Sequence, residues 1–228
     1  MGIDLNFKGK DYESNLKLIK EANKYGWQHI NFSYAPDEYN NALKFKKELE
    51  EEFSIDYTLE IDSNNPNDLR KLVNKFRNKT NCITVIGGDL KINRAVCENI
   101  KIDVLSRPYL KRYDSGLNQV LSKLAVENNV AIELSFKDIL NSYLSGRSKV
   151  LSNFRDIYTL YRKFKFPLII TLNAKSVFDI RSVRDIQAFL KSTGLSNEEI
   201  TEIFNYPQNI LDLNKNRQNL ILKGVKRV

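Results

Sequence analysis

The sequence predicts an α/β fold: an irregular TIM-type β/α barrel in a single domain. Three observations lead there. Apolar runs of strand length alternate with helical periodicity about seven times along the chain. No break in composition marks a linker. A chain of 228 residues that is 42% hydrophobic is long enough to bury one large core. The clearest unit is the stretch 130–184. Val130-Ala131-Ile132-Glu133-Leu134 and Leu168-Ile169-Ile170-Thr171-Leu172 have the length of buried strands, and Leu151, Phe154, Ile157, Tyr158, Tyr161 and Phe164 recur between them at helical spacing. A strand, a crossover helix and a second buried strand make a right-handed parallel unit. A doubly wound sheet is the alternative. Even strand spacing favours the barrel, with a weak or missing eighth strand.

The remaining elements follow in order. A first strand is read at 3–7, then a helix over about 12–24 with Leu16, Ile19 and Ala22 on one face, ended by Tyr25-Gly26. A second strand at 27–32 precedes a helix opened by Pro36 and running to about residue 52. The third strand is 55–61, and Asn65-Pro66 begins a helix carrying Leu69, Leu72, Val73 and Phe76. The fourth strand, 82–86, closes on Gly87-Gly88-Asp89, a short helix holds Ala95 and Val96, and 103–105 is a brief fifth strand. A helix over about 117–127 leads into the central unit, where a loop around Gly146-Arg147 precedes the long helix. Helices at 183–191 and from the cap Ser196, with Glu198 and Glu199 in its first turn, complete the barrel, 1–214. Residues 215–228 read as a basic tail, a solvated end or an RNA-touching arm.

Charge narrows the partners. A net charge of +8 and a pI near 9.3 favour nucleic acid first and an anionic membrane second, with a basic protein of no special partner as the plain alternative. The positive excess sits in 130–184, which holds ten Lys and Arg against four Asp and Glu. No run approaches the ~20 apolar residues of a membrane span and the N-terminus has no signal-peptide pattern, so a cytoplasmic location is expected. Cys82 and Cys97 make no disulfide framework; buried free thiols are expected.

Catalytic chemistry is hard to build from these residues. His29 is the one histidine, which excludes histidine-rich zinc or iron sites and leaves a Ser/His/Asp or Cys/His triad without a suitable base. Carboxylates alone could hold Mg²⁺ at a barrel mouth through Asp4, Asp62, Asp89 or Glu133. The Gly87-Gly88-Asp89 turn could cradle a phosphate, but no phosphate-loop Lys-Ser/Thr follows and a plain tight turn is the simpler reading. What remains is cations at strand ends: Arg107, Lys137, Lys175 and Arg181. Arginine binds phosphodiesters bidentately and keeps its charge, though Asp179 and Asp185 could equally hold Arg181 and Arg184 in surface salt bridges.

Ordered motifs add a resemblance. Asp4-Leu5-Asn6, Ser106-Arg107-Pro108, Asp114-Ser115-Gly116, Val130-Ala131-Ile132-Glu133-Leu134, Arg147 ahead of Leu151-Ser152-Asn153, Pro167-Leu168-Ile169-Ile170, Asp179-Ile180-Arg181-Ser182-Val183-Arg184-Asp185 and Thr193-Gly194-Leu195-Ser196 together resemble the archaeal ribonuclease P protein component 3 family. The resemblance implies a barrel akin to the polymerase-and-histidinol-phosphatase phosphoesterases. Those open with Asp-Leu-His-x-His, whose histidines bind metal; here the register reads Asp4-Leu5-Asn6-Phe7-Lys8, which implies that the metal site is gone. It also implies a subunit of the ribonucleoprotein that removes the 5′ leader of precursor tRNA, with the active site and catalytic Mg²⁺ in the ribonuclease P RNA and component 2 as partner in a heterotetramer. On that reading the chain has no catalytic residue, metal or cofactor of its own, and Arg107, Arg147, Arg155, Arg181 and Arg184 meet RNA or the partner. A stand-alone metal-dependent phosphoesterase barrel is the alternative, and a barrel enzyme on a small phosphorylated substrate a third.

Overall fold

Strands β1 (Ile3–Lys8), β2 (His29–Tyr34), β3 (Ile55–Ile61), β4 (Cys82–Ile86), β5 (Val104–Ser106), β6 (Ala131–Ser135) and β7 (Leu168–Thr171) pair in that order, every neighbour parallel. The computed structural model describes residues 2–215 and, beyond them, a short antiparallel pair, β8 (Leu220–Leu222) and β9 (Val225–Lys226). The reading of a solvated or RNA-touching tail falls otherwise outside the described residues. The sheet curls into a nearly closed barrel. At the β7/β1 seam, Lys8 N donates to Ala174 O at 2.8 Å, and the Asp4 carboxylate accepts from Leu172 N at 2.6 Å. A side chain thus spans the place where an eighth strand would pair.

Helices fill the connections, and local chemistry starts most of them. Asp11 caps α1 (Tyr12–Lys24), and Asn65 caps α4 (Pro66–Phe76) with Pro66 at its first position. Asp89 caps α5 (Leu90–Cys97), and Asn118 caps α6 (Gln119–Asn128). Ser182 and Asp185 form a reciprocal capping box on α9 (Val183–Ser192). Ser196 and Glu199 do the same for α10 (Asn197–Lys215), as the Ser-Asn-Glu-Glu run predicts.

Two segments depart from the expectation. The helix read from Pro36 to residue 52 is broken into α2 (Tyr39–Ala42), a 3₁₀ turn (Leu43–Phe45) and α3 (Lys46–Glu52). Its inward residues Tyr39, Ala42 and Phe45 are spaced by three, and a three-residue turn keeps them on one face where 3.6 would rotate Phe45 away. The loop expected around Gly146-Arg147 is helical instead. Phe136 and Ile139 bury one face of an unexpected α7 (Phe136–Asn141), and α8 runs from Leu144 to Phe164, so Gly146 and Arg147 lie in its first turns.

The core has two compartments. Between strands and helices lies a sleeve that includes Phe32, Tyr57, Phe76, Phe154 and Phe166. A separate cluster, Ile3, Leu5, Cys82, Val104, Ala131 and Ile169, fills the lower barrel, plugged by Ile210 and Leu211 of α10. A bulge in β1 between Asp4 and Phe7 changes which residues face inward. Below it Ile3 and Leu5 join the barrel cluster; above it Phe7 joins the sleeve, and Asn6 and Lys8 reach partners on β6 and β3.

Candidate functional site

Above the apolar plug the barrel turns polar, and its centre is a chain of hydrogen bonds. Thr171 Oγ1 donates to Glu133 Oε1, which also accepts from Asn6 Nδ2 at 2.9 Å. Lys8 Nζ donates to Asn6 Oδ1 at 3.0 Å and to Glu60 Oε1. Asn31 Nδ2 reaches Thr58 Oγ1 at 3.0 Å on the next strands. Because these side chains stand on several different strands, the chain of bonds exists only where the barrel closes.

Burial sets the protonation of this layer. Desolvation pushes the Asp4 carboxyl up to about 7, outweighing its bonds from the amides of Leu172 and Asn6; Glu133 adds a like charge. Desolvation also raises Glu133, against the bond from Thr171 and the charge of Lys8. Lys8 is held below the usual lysine value by burial, with Glu60 opposing. A carboxyl near neutrality suits a general base. Asp4, however, is fully buried and both its oxygens accept backbone amides, so it can reach neither water nor substrate. It is a closure device. The Asp4 carboxyl carbon should titrate near pH 7 by NMR, far above the exposed aspartates; a midpoint near 4 would refute this. The sign for folding follows: between about pH 4 and 7 the native state holds a proton that the unfolded chain has lost, so this group's contribution to stability is lost as pH rises through 7.

This centre does not fit a divalent metal. An ammonium, Lys8, lies between Glu60 and Asn6. Glu133 Oε1 is engaged by Asn6 and Thr171, and its Oε2 is, among the described residues, the one buried carboxylate oxygen without a hydrogen-bond partner, too few ligands for a divalent ion beside a lysine. Among the described residues no three His, Cys, Asp or Glu gather as a ligand set. His29 is structural: Nδ1 pairs with Ser54 Oγ and Nε2 with Asn31 Oδ1, each at 2.8 Å. Cys82 and Cys97 are free and buried, and burial pushes the Cys97 thiol up to about 12. The Gly87-Gly88-Asp89 turn is no phosphate cradle, because Asp89 itself caps the amides of Lys91 and Ile92 and Asp62 and Asp114 share the adjoining pocket of about 510 Å³.

The five sequence-selected arginines do not form one patch. Arg107, on the strand-end rim, is half-buried with Nη1 3.7 Å from Asp138 Oδ1, and Asp138 also accepts from Tyr109 OH at 2.9 Å. Arg147 is exposed near the start of α8, its Nε on Ser142 O at 3.0 Å. Arg155 is exposed in the middle of α8 rather than at a helix start. Arg181 precedes the Ser182 cap, so it does not share a helix face with Arg184 as their spacing suggests. Its Nη1 donates to Phe178 O at 2.8 Å and Ile180 O at 2.7 Å. Its own carbonyl accepts from Trp27 Nε1 at 2.9 Å, and Val183 N donates to Tyr25 O. Those bonds carry Arg181 and Arg184 toward the start of β2, the end of the barrel opposite Arg107. Arg184 is exposed in the first turn of α9. The acids expected as their partners are used elsewhere: Asp179 binds Lys137 Nζ at 2.8 Å, and Asp185 closes the capping box. Lys175 is exposed, its amide on Asp179.

Sequence reasoning missed Asn93 and Tyr109. Asn93 is fully buried and binds the carbonyls of Pro108 and Gly116 at 3.0 and 2.9 Å, tying together the two motifs Ser106-Arg107-Pro108 and Asp114-Ser115-Gly116. Nothing local marks it. The motifs themselves, a proline and a glycine bracketing one loop, were the only signal that something must hold them.

Comparison with known proteins matches this arrangement. The family model described as RNase P subunit p30 matches residues 1–219. Ribonuclease P protein component 3 of Methanothermobacter thermautotrophicus is 40% identical over 231 residues, covering 98% of this chain and 94% of that one. The Methanocaldococcus jannaschii protein of the same name is 37% identical over 195 residues, 84% of this chain and 82% of its own. Among solved structures, a chain of archaeal ribonuclease P with mature tRNA superposes with a TM-score of 0.82 at 32% identity, covering 98% of this chain and 96% of that one. A zinc-bound histidinol phosphate phosphatase from Lactococcus lactis shares the fold alone, with a TM-score of 0.58 at 11% identity over 86% of this chain and 94% of that one. The shared fold and the near full-length match give one conclusion: the chain belongs to the RNase P subunit p30 family.

Proposed function

We propose that this chain is a protein subunit of ribonuclease P, acting in the 5′ maturation of precursor tRNA as a brace for the catalytic RNA and not as its active site. The observation that carries the reading is the near full-length likeness, in sequence and in fold, to a chain of archaeal ribonuclease P with mature tRNA. The chemistry of the barrel supports it. Lys8 stands where a metal phosphoesterase needs a cation; the carboxyls of Asp4 and Glu133 are buried away from water, and Glu60 is held by Lys8. On this reading Mg²⁺ is carried by the RNA, component 2 is the protein partner in a heterotetramer, and the particle works in the cytoplasm. No helix among the described residues is long and apolar enough to cross a membrane.

Cationic side chains relieve the repulsion of closely packed phosphates, and folded RNA is read mostly through its shape and backbone. Arg147, Arg155 and Arg184 suit that role. They are exposed, and among the described residues none is paired with a carboxylate. The protein alone should not cleave precursor tRNA, whereas cleavage should depend on it once the cognate RNA and the partner subunits are present. Mg²⁺-dependent cleavage by nuclease-free protein would sink the proposal. In the reconstituted particle, Arg147→Ala, Arg155→Ala and Arg184→Ala should keep the melting temperature. Each should reduce the log–log salt slope of RNA binding by roughly 0.7–0.9 for every phosphate left without its cation. Arg181→Ala should instead lower the melting temperature, since its guanidinium holds two backbone carbonyls.

A further inference from the structure

The loop 107–118 after β5 is rigidly built, yet it ends in an aromatic ring that the protein does not cover. Asn93 holds its two ends, and Asn93 Oδ1 also accepts from Gly88 N at 3.0 Å. Gly116, at φ +68°, sits where a Cβ would lie 1.9 Å from Pro108 O. Arg112 grips Asp114 with Nε and Nη2 at 2.5 and 2.8 Å, and Nη1 reaches Gly88 O at 3.2 Å. Arg107 and Lys111 are held at φ +50° and +58°. Of the other non-glycine residues at positive φ, Asn129 and Lys165 cap helices, Leu144 opens α8 and Asn173 follows β7; Arg107 and Lys111 fall together in this one rim loop.

This scaffold presents Tyr113, which is 96% exposed. Lys149 Nζ of α8 stands 3.8 Å from the ring centroid, over a ring that is otherwise bare. Beside it a groove of about 250 Å³ runs between the loop and α7–α8, lined in part by Lys111, Arg112, Asn141, Ser142 and Lys149. That is below the roughly 300–1,000 Å³ of small-molecule clefts. The groove's carboxylate, Asp138, is taken up by Arg107 and Tyr109, and Asp62, Asp89 and Asp114 lie in another pocket that the loop borders. Among the described residues no carboxylate pairs with Lys111, Arg147 or Lys149. Tyr143, the residue after Ser142, is 77% exposed. The cores of protein–protein interfaces are depleted in lysine. Unpaired lysines around a bare ring are instead what an unpaired nucleotide requires: a π-face for the base and charge for its phosphates.

We propose that Tyr113 is a stacking platform for one unpaired base of the ribonuclease P RNA, with Lys111 and Lys149 facing the flanking phosphates. The proposal rests on the subunit reading and adds a residue and a mode of contact to it. The rigid loop makes the contact cheap in ordering entropy, and stacking tolerates any base.

The test uses the fully reconstituted particle carrying Tyr113→Ala, Tyr113→Trp or Lys149→Ala. Tyr113→Ala should weaken binding of the ribonuclease P RNA roughly five- to hundredfold with an unchanged log–log salt slope, because stacking releases no counterions. Tyr113→Trp should retain affinity. Lys149→Ala should reduce the slope by roughly 0.7, as for a cation on a single strand. The exposed ring predicts an unchanged melting temperature for Tyr113→Ala, and ultraviolet irradiation of the wild-type particle should yield a Tyr113–nucleotide adduct. Wild-type RNA affinity in Tyr113→Ala overturns the proposal, as does a loss seen only toward precursor tRNA or toward a purified partner subunit without RNA. If the arginine variants alter the slope while Tyr113→Ala changes nothing, the stacking site fails and the subunit reading stands. If the wild-type chain neither joins nor supports the particle, both fail.

Discussion

Lys8→Met should lower the melting temperature by roughly 6–12 °C. Lys8 and Glu60 are only 16% and 14% exposed, so removing the ammonium leaves a mostly desolvated carboxylate without its cation. Breaking a buried pair costs about 3–5 kcal/mol; partial exposure places this one near about 3 kcal/mol, and each kcal/mol shifts a domain of this size by about 2–4 °C. Asn6 Oδ1 loses a donor at the same time, and Glu133 loses a neighbouring positive charge. The paired replacement Lys8→Met with Glu60→Leu should recover most of the loss, since an apolar pair of similar volume avoids the desolvation of both charges. A Lys8→Met protein that melts like the wild type would show that solvent, not Glu60, satisfies the ammonium.

Asp4→Ala should cost about 2–6 kcal/mol of unfolding free energy below pH 6, because it strips two buried amides, Asn6 N and Leu172 N, of their acceptor at about 1–3 kcal/mol each. The damage falls on the β7/β1 seam, where the bond from Lys8 N to Ala174 O remains. Hydrogen exchange at the Leu172 amide should accelerate accordingly. The penalty also depends on pH. Wild-type Asp4 loses its stabilising contribution as pH rises through about 7, and the variant has no such group to lose. The gap between the two proteins, measured by denaturant unfolding, should therefore narrow from pH 5 to pH 8. A gap that widened would mean the carboxylate, not the carboxylic acid, is the form that closes the barrel.

Neither Asp4 nor Lys8 is marked in the sequence for the role it plays. Asp4 reads there as a candidate Mg²⁺ ligand and Lys8 as a cation displacing a metal. The structure gives Asp4 a backbone role instead, and gives Lys8 a carboxylate partner on β3 that no spacing rule identifies. The arginines show the same limit. Their exposure was partly legible, since the sequence reads Arg147 in a loop and Arg184 at a helix start, but Arg181 reads the same way as Arg184 and is turned onto its own loop's carbonyls.

What the sequence determines by itself is whatever is encoded within a few residues of the chain. Strand-length apolar runs placed all seven barrel strands, and Asn65 and Ser196 placed two helix starts, because periodicity and capping act between neighbours one turn apart. The tertiary structure alone decided the site. Asn6 meets Glu133 across 127 residues, Lys8 meets Glu60 across 52, and Asp4 meets Leu172 across 168. Those pairings depend on barrel closure and on one bulge in β1 that turns Asn6 and Lys8 inward, and a displacement of that kind leaves no trace in local composition.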